Sequence, residues 1–161
     1  MTDDPLQLQL QLPLSKTGRL DIYVAITEAL SRAGNALAIL SALKPIIVTT
    51  KASHASLLYV ELNQHGAPEY AETMARLSNQ GEPLPVNPGG ISRYRMTDFP
   101  VIANALKTYH TPYIIENIFT DPRSDQPMRE VARQVGYTAI CVLPLRMGEE
   151  WQGFFSLTYS E

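Results

Sequence analysis

The stretch ENIFTDPRSDQ, residues 116–126, sets Glu116, Asp121 and Asp125 around Pro122 and Arg123. Carboxylates so close in sequence serve a cation site or an acid/base pair when the fold makes two of them converge with separated pKa values. The same residue types also have a local use. Asp121-Pro122-Arg123 has turn composition, because an aspartate bonds the amides that follow it and proline fixes φ. Asp125 stands where a helix N-cap is expected, and Arg123 is within reach of either aspartate. Nothing beside these residues completes a catalytic set, so the local use is the expected one. Helix N-termini collect anionic ligand groups, however, which keeps the segment a candidate for binding.

The remaining reactive side chains are sparse. His54, His65 and His110 show neither an HxH nor an HxxxH spacing and have no cysteine nearby, so no metal site is expected. Cys141 sits in the apolar run AICVLPL and reads as a small core residue with a raised thiol pKa. GxSxG, GxGxxG and the Walker loop are absent, and the NPGG of residues 87–90 lacks the Lys-Ser/Thr that would follow in a phosphate loop. The expectation is a protein that is not an enzyme, with no catalytic residue.

The elements that position these residues fit one domain, since 161 residues suffice for a substantial core. A net charge of −3, with the 13 Lys and Arg scattered, gives no basic surface for nucleic acid. No apolar run reaches the length of a membrane span. The acidic start MTDDP lacks the basic region of a secretory signal, and a single cysteine allows no internal disulfide. A cytoplasmic location is expected.

Leu6, Leu8, Leu10 and Leu12 alternate with glutamines, which suits a docked strand or arm as well as a mobile leader. From Leu20 the apolar period lengthens to that of a helix whose start Asp21 can cap or favour, and Gly34-Asn35 ends it. Pro45 kinks or splits the next helical stretch. Residues 54–63 read as a strand, whereas 69–79 have the spacing and composition of a helix but leave a strand open. Residues 80–90 form a loop. Residues 91–99 read as extended up to a helix that starts near Asp98, with Pro100 at an early helical position. Residues 112–119 read as a short strand and 125–136 as a helix capped by Asp125 and stopped by Gly136. The chain closes with a hairpin turning through Gly148-Glu149-Glu150. This succession predicts an α+β protein with an antiparallel sheet.

Taken together, Asp98-Phe99-Pro100, Ile114-Ile115, Asp121-Pro122-Arg123, Gly136, Leu143-Pro144-Leu145 and Gly153-Phe154-Phe155 resemble, in order and spacing, the second half of a GAF domain. The leading helices and the first strand, ASLLYVEL, are similar to that family as well. The resemblance covers residues 20–160 and sets 1–19 apart as an N-terminal leader or arm before a domain at 20–161. It implies a GAF/PAS-like, profilin-like three-layer α/β/α fold with a central antiparallel sheet of five or six strands, and makes 69–79 a strand.

The resemblance also implies a sensory or regulatory module of a signal-transduction protein that binds a small organic ligand non-covalently. Its effector would be a histidine kinase or a cyclase, and its N-terminal helices would form a homodimer. A structural dimerisation module without ligand, or a small enzyme of this fold, is the alternative. The identity of any cofactor is unknown. No cysteine stands where bilin-carrying members attach their chromophore, and the Asn-Lys-x-n-Phe motif of cyclic-nucleotide binders is missing. One cysteine is too few for the disulfide cycle of the methionine-sulfoxide reductase of this fold. The implied pocket walls are Tyr94, Phe99, Ile102, Tyr113, Ile115 and Met128, with Arg95, Asn117, Thr120 and Asp121 as polar contacts.

Overall fold

A computed structural model describes residues 16–87, 90, 92–108, 112–147 and 150–160. The Leu/Gln segment of residues 1–15, His110 and the hairpin turn at 148–149 lie outside the described residues.

Three helices open the fold. α1 spans Lys16–Ser31. It begins before Asp21, which is therefore not its cap: the apolar period marks where a helix is covered, not where its backbone starts. Asn35 caps α2 (Ala36–Ala42), its side-chain oxygen accepting from Ala38 N at 2.9 Å. Pro45 splits the stretch and sits in the first turn of α3 (Lys44–Thr50), where its missing N–H leaves no bond unmade.

The strands are β1 (His54–Leu62), β2 (Pro68–Ser78), β3 (Arg93–Arg95), β4 (Tyr113–Ile115), β5 (Ala139–Met147) and β6 (Glu150–Tyr159). They form one antiparallel sheet in the order β3-β2-β1-β6-β5-β4. The 69–79 segment is thus a strand despite its helical spacing, because β1 supplies a partner along its whole length. The strand expected over 112–119 is shorter than its sequence suggested. It stops at Ile115, and the Asn117 carbonyl and side chain take the amides of Asp121 and Phe119 at 2.9 and 3.0 Å in a turn.

Between β3 and β4 come a 3-10 turn, Met96–Asp98, and α4 (Pro100–Thr108). α5 (Gln126–Val135) follows β4. Asp125 caps α5, accepting from Met128 N at 3.0 Å, and Gly136 ends it in the left-handed conformation at φ 83°. Asp125→Ala is expected to cost about 1 kcal/mol in urea denaturation. A loss near zero would mean that the cap is dispensable.

Each face of the sheet has its own core, which makes three layers. Leu40 and Ile47 of α2 and α3 pack on Ala55, Leu57, Ala75, Leu77, Phe155 and Leu157. Leu106 of α4 and Met128 and Ala132 of α5 pack on the opposite face with Val60, Ile115, Val142 and Phe154.

Candidate functional site

A cavity of about 130 Å³ lies between the sheet, whose edge strand β3 contributes Tyr94, and the elements that carry Met96, Phe99, Ile102 and α5. Its floor follows from strand register. Ser56 of β1 stands opposite Arg76 of β2 and Ser156 of β6, and Ser156 stands opposite Val142 of β5. Leu58 is flanked in the same way by Thr73 and Phe154. Thr158 pairs with Ile140 on one side and His54 on the other. Paired residues share a face of the sheet, so this grid of hydroxyls and apolar groups points one way. The opposite wall is apolar: Phe99, Ile102, Met128, Val131 and Val135.

Arg76 reaches this floor because β2 carries a bulge. The register slips between Leu57 and Leu58, leaving Met74 without an opposed residue. Ala71 and Thr73 face the cavity before the slip; after it Ala75 and Leu77 face the α2/α3 core, and Arg76 takes the cavity side. An extra residue in one strand re-aims every side chain beyond it. Arg76 is only 7% exposed. Segment 82–85 closes over it: Leu84 N donates to Arg76 O at 3.0 Å, and Arg76 Nη1 donates to Pro85 O at 3.0 Å. Burial lowers the guanidinium pKa, so the site holds the cation at a cost.

Burial dominates the titration of the groups near Arg76, and Arg76 acts second on Tyr94 and His54. Burial raises the Tyr94 phenol pKa, while Arg76 and a hydrogen bond from Thr73 act in the opposite direction. Burial raises the Tyr137 hydroxyl as well. His54, whose Nδ1 is buried without a partner, has its pKa lowered from 6.5 by burial and then by Arg76. Above its unfolded pKa the imidazole is neutral in both states and costs nothing. As the pH falls through that value, the unfolded chain takes up a proton that the folded chain refuses, and stability declines. Denaturant midpoints measured from neutral pH to about pH 5 should fall, and His54→Gln should flatten that slope. An unchanged slope in the variant would assign it to other groups.

Of the ten residues expected at the site, Tyr94, Phe99, Ile102 and Met128 line the cavity. The other six lie elsewhere. Arg95 follows Tyr94 on β3 and so faces the other way, its guanidinium exposed beside the Tyr70 ring. Tyr113 and Ile115 are buried on β4 within the α4/α5 core. Asn117 and Thr120 belong to the turn after β4, where Thr120 is exposed. Asp121 accepts from Arg123 N, Nε and Nη2 at 2.8, 3.0 and 2.6 Å, and those bonds hold its carboxyl below the usual range. Arg123 also donates to Ile114 O at 2.9 Å. Asp121 therefore clamps, through Arg123, a turn onto β4. Cys141 faces the α2/α3 core, its thiol pushed up to about 11 by burial. Among the described residues no group of three His, Cys, Asp or Glu is placed to hold a metal.

Arg76 and the hydroxyls of Ser56, Thr73, Ser156 and Thr158 went unread in the sequence. For Ser156 and Thr158 the signal is the period-two recurrence of small hydroxyl residues in FSLTY, inside a strand covered on both faces; Arg76, Ser56 and Thr73 carry none of that kind.

Solved structures share this architecture. The GAF domain of the phosphoenolpyruvate-protein phosphotransferase (ptsP) of Coxiella burnetii superposes with a TM-score of 0.61 at 17% identity, over 90% of this chain and 79% of that one. The fold is that of a GAF domain. The phycocyanobilin-bound GAF domain of a cyanobacterial phytochrome matches at 0.62 and 14% identity, over 89% and 80% of the two chains. The nlh2 GAF domain of A. Aeolicus in an inactive state matches at 0.56 and 12%, over 91% and 82%. No family sequence model and no curated protein sequence matches the chain. At these identities the GAF likeness is one of fold. Among the described residues no helix is long and apolar enough to cross a membrane.

Proposed function

We propose that this GAF-fold chain is a sensory or regulatory module that binds a small organic ligand non-covalently in the cavity beneath α5, without catalysing a reaction on it. The observation that carries the reading is the cavity itself: an apolar helical wall facing a hydroxyl floor with one buried cation, the usual make-up of a ligand site. Signal-transduction parentage is drawn from the fold neighbours, which include phytochrome and phosphotransferase domains. The cavity is less than half the size of even the smallest of the roughly 300–1,000 Å³ drug-sized pockets, and its lining contains no cysteine. A tetrapyrrole like the phycocyanobilin of the cyanobacterial neighbour therefore does not suit it.

Relay would work by population shift, the ligand favouring one seating of α5 over another. Hydrogen bonds carry that seating to the end of β6: Ser160 Oγ donates to Gly136 O and Thr138 N to Tyr159 O, each at 2.8 Å. An effector such as a histidine kinase or a cyclase would read the change, and a cytoplasmic setting accords with that role. A thermal-shift screen of small metabolites tests the proposal, because a ligand at 100 times its Kd adds about 2.7 kcal/mol. Ile102→Trp, which fills the cavity, should abolish the shift, and a flat screen would count against ligand binding.

A second reading, homodimerisation, has its own observation. Leu43 and Ile46 border an apolar groove on the outer face of β4 and β5, with Ile114 half-exposed and Leu143 and Leu145 beside it. Val24 and Leu30 leave apolar surface on α1 as well. Light scattering of the wild type and of Ile114→Glu decides whether this face joins two copies.

A further inference from the structure

We propose that the cavity selects a compact organic carboxylate, whose anionic group pairs with Arg76 while its apolar body packs against Phe99, Ile102 and Met128. The inference rests on the ligand-binding reading above and adds the chemical class of the ligand.

Three observations meet at Arg76. The residue is more than nine-tenths buried yet lines the cavity. A guanidinium carries five N–H donors in a planar fork, and one acceptor, the Pro85 carbonyl, is seen on it. No aspartate or glutamate occurs among the residues lining the cavity. A buried cation without an anion is unfavourable, and the structures that keep one supply the counter-charge from a partner group or a ligand. His54, whose Nδ1 lacks a partner, has its pKa lowered by burial first and by this positive corner second.

The lining and the size narrow the anion. Ser56 and Ser156, side by side in register with Arg76, offer hydroxyl donors to a planar carboxylate that the fork can bind with two parallel bonds. Apart from the Tyr94 and Tyr137 hydroxyls the facing wall is apolar, and it carries no charged group to match a second charge. A space of about 130 Å³ compares with the engineered apolar cavity of about 150 Å³ that admits benzene. A single small ring or a short branched chain fits, and a nucleotide does not. A cation meets repulsion at Arg76, and a neutral molecule leaves the guanidinium unpaired.

Benzoate and its neutral isostere benzamide separate charge recognition from shape. Titrations of the full chain, followed by amide NMR shifts at Phe99, Met128 and Ser156, should show benzoate binding about tenfold or more tightly than benzamide. Arg76→Met should erase that preference. Arg76→Lys, which retains the charge without the fork, should keep part of it, and it keeps the test open if the methionine variant does not fold. Ile102→Trp should block both probes. Equal binding of the two probes, both blocked by Ile102→Trp, would overturn the carboxylate assignment and leave the ligand site standing. Inorganic phosphate binding as tightly as benzoate would also overturn it, since the apolar body would then contribute nothing. If neither probe perturbs the cavity residues while the metabolite screen yields a neutral ligand, the carboxylate assignment falls alone. If that screen is flat too, both readings fall.

Discussion

Gly153→Ala is expected to lower the stability of the domain by about 3 kcal/mol or more, beyond the usual range for overpacking. Gly153 lies on β6 opposite Tyr59 of β1, in the middle of the sheet. A methyl group added there overlaps the Leu58 carbonyl oxygen and comes within 3.3 Å of Tyr59 Cα. These are backbone atoms of a paired strand, so no side chain can swing away to make room. Either β1 and β6 part and lose ladder hydrogen bonds, or β6 bends and lifts Phe154 and Phe155 out of the two cores that they join. For a domain of this size the loss corresponds to a fall of roughly 6–12 °C in Tm. Gly34→Ala is the control, since an added Cβ there meets nothing within 4 Å. A Gly153→Ala protein that melts within a degree or two of wild type would show that the strands have more room than their register implies.

The second large effect has the opposite sign. Arg76→Met should raise the Tm of the ligand-free domain although it removes a hydrogen bond. The bond to Pro85 is charge-assisted and worth about 1.5–3 kcal/mol. Against it stands the desolvation of a guanidinium at 7% exposure, several kcal/mol per buried ion, and no carboxylate among the cavity residues offsets it. Methionine fills similar space with apolar atoms and adapts its shape. A net gain of about 1–2 kcal/mol, or roughly 2–8 °C, is expected. Were Arg76 a strut for segment 82–85, the same substitution would lower the Tm. The sign of one melting experiment thus separates a residue kept for structure from one kept at a cost to stability.

Much of the fold was legible in the sequence because its signals are local. Asn35, Pro45, Pro100, Asp125 and Gly136 act within one helical turn, and the residues themselves carry that chemistry. The antiparallel sheet and its closing hairpin followed from apolar runs parted by turn residues. The β2 segment was different: Tyr70, Met74 and Leu77 favour a helix locally, and the pairing offered by β1 outweighed them.

The candidate site divides along the same line. Ile102 and Met128 were within reach of sequence reading, since apolar positions on helices beside a sheet must face it, and Phe99 stands directly before α4. Arg95 was placed beside Tyr94 although neighbours on a strand point apart. Of the carboxylates of residues 116–126, Asp121 holds a turn and Asp125 caps a helix.

By its residues alone, then, the chain determined the two ends of α5, the split at Pro45, the turn at Asp121-Pro122-Arg123, its class and the core setting of Cys141. What only the tertiary structure decided was the direction in which Arg76 points. A period-two reading without a break puts residue 76 on the face opposite Thr73, and one extra residue, Met74, turns it inward. A bulge is set by how two strands pair across the sheet, and the residues of one strand do not encode that pairing by themselves.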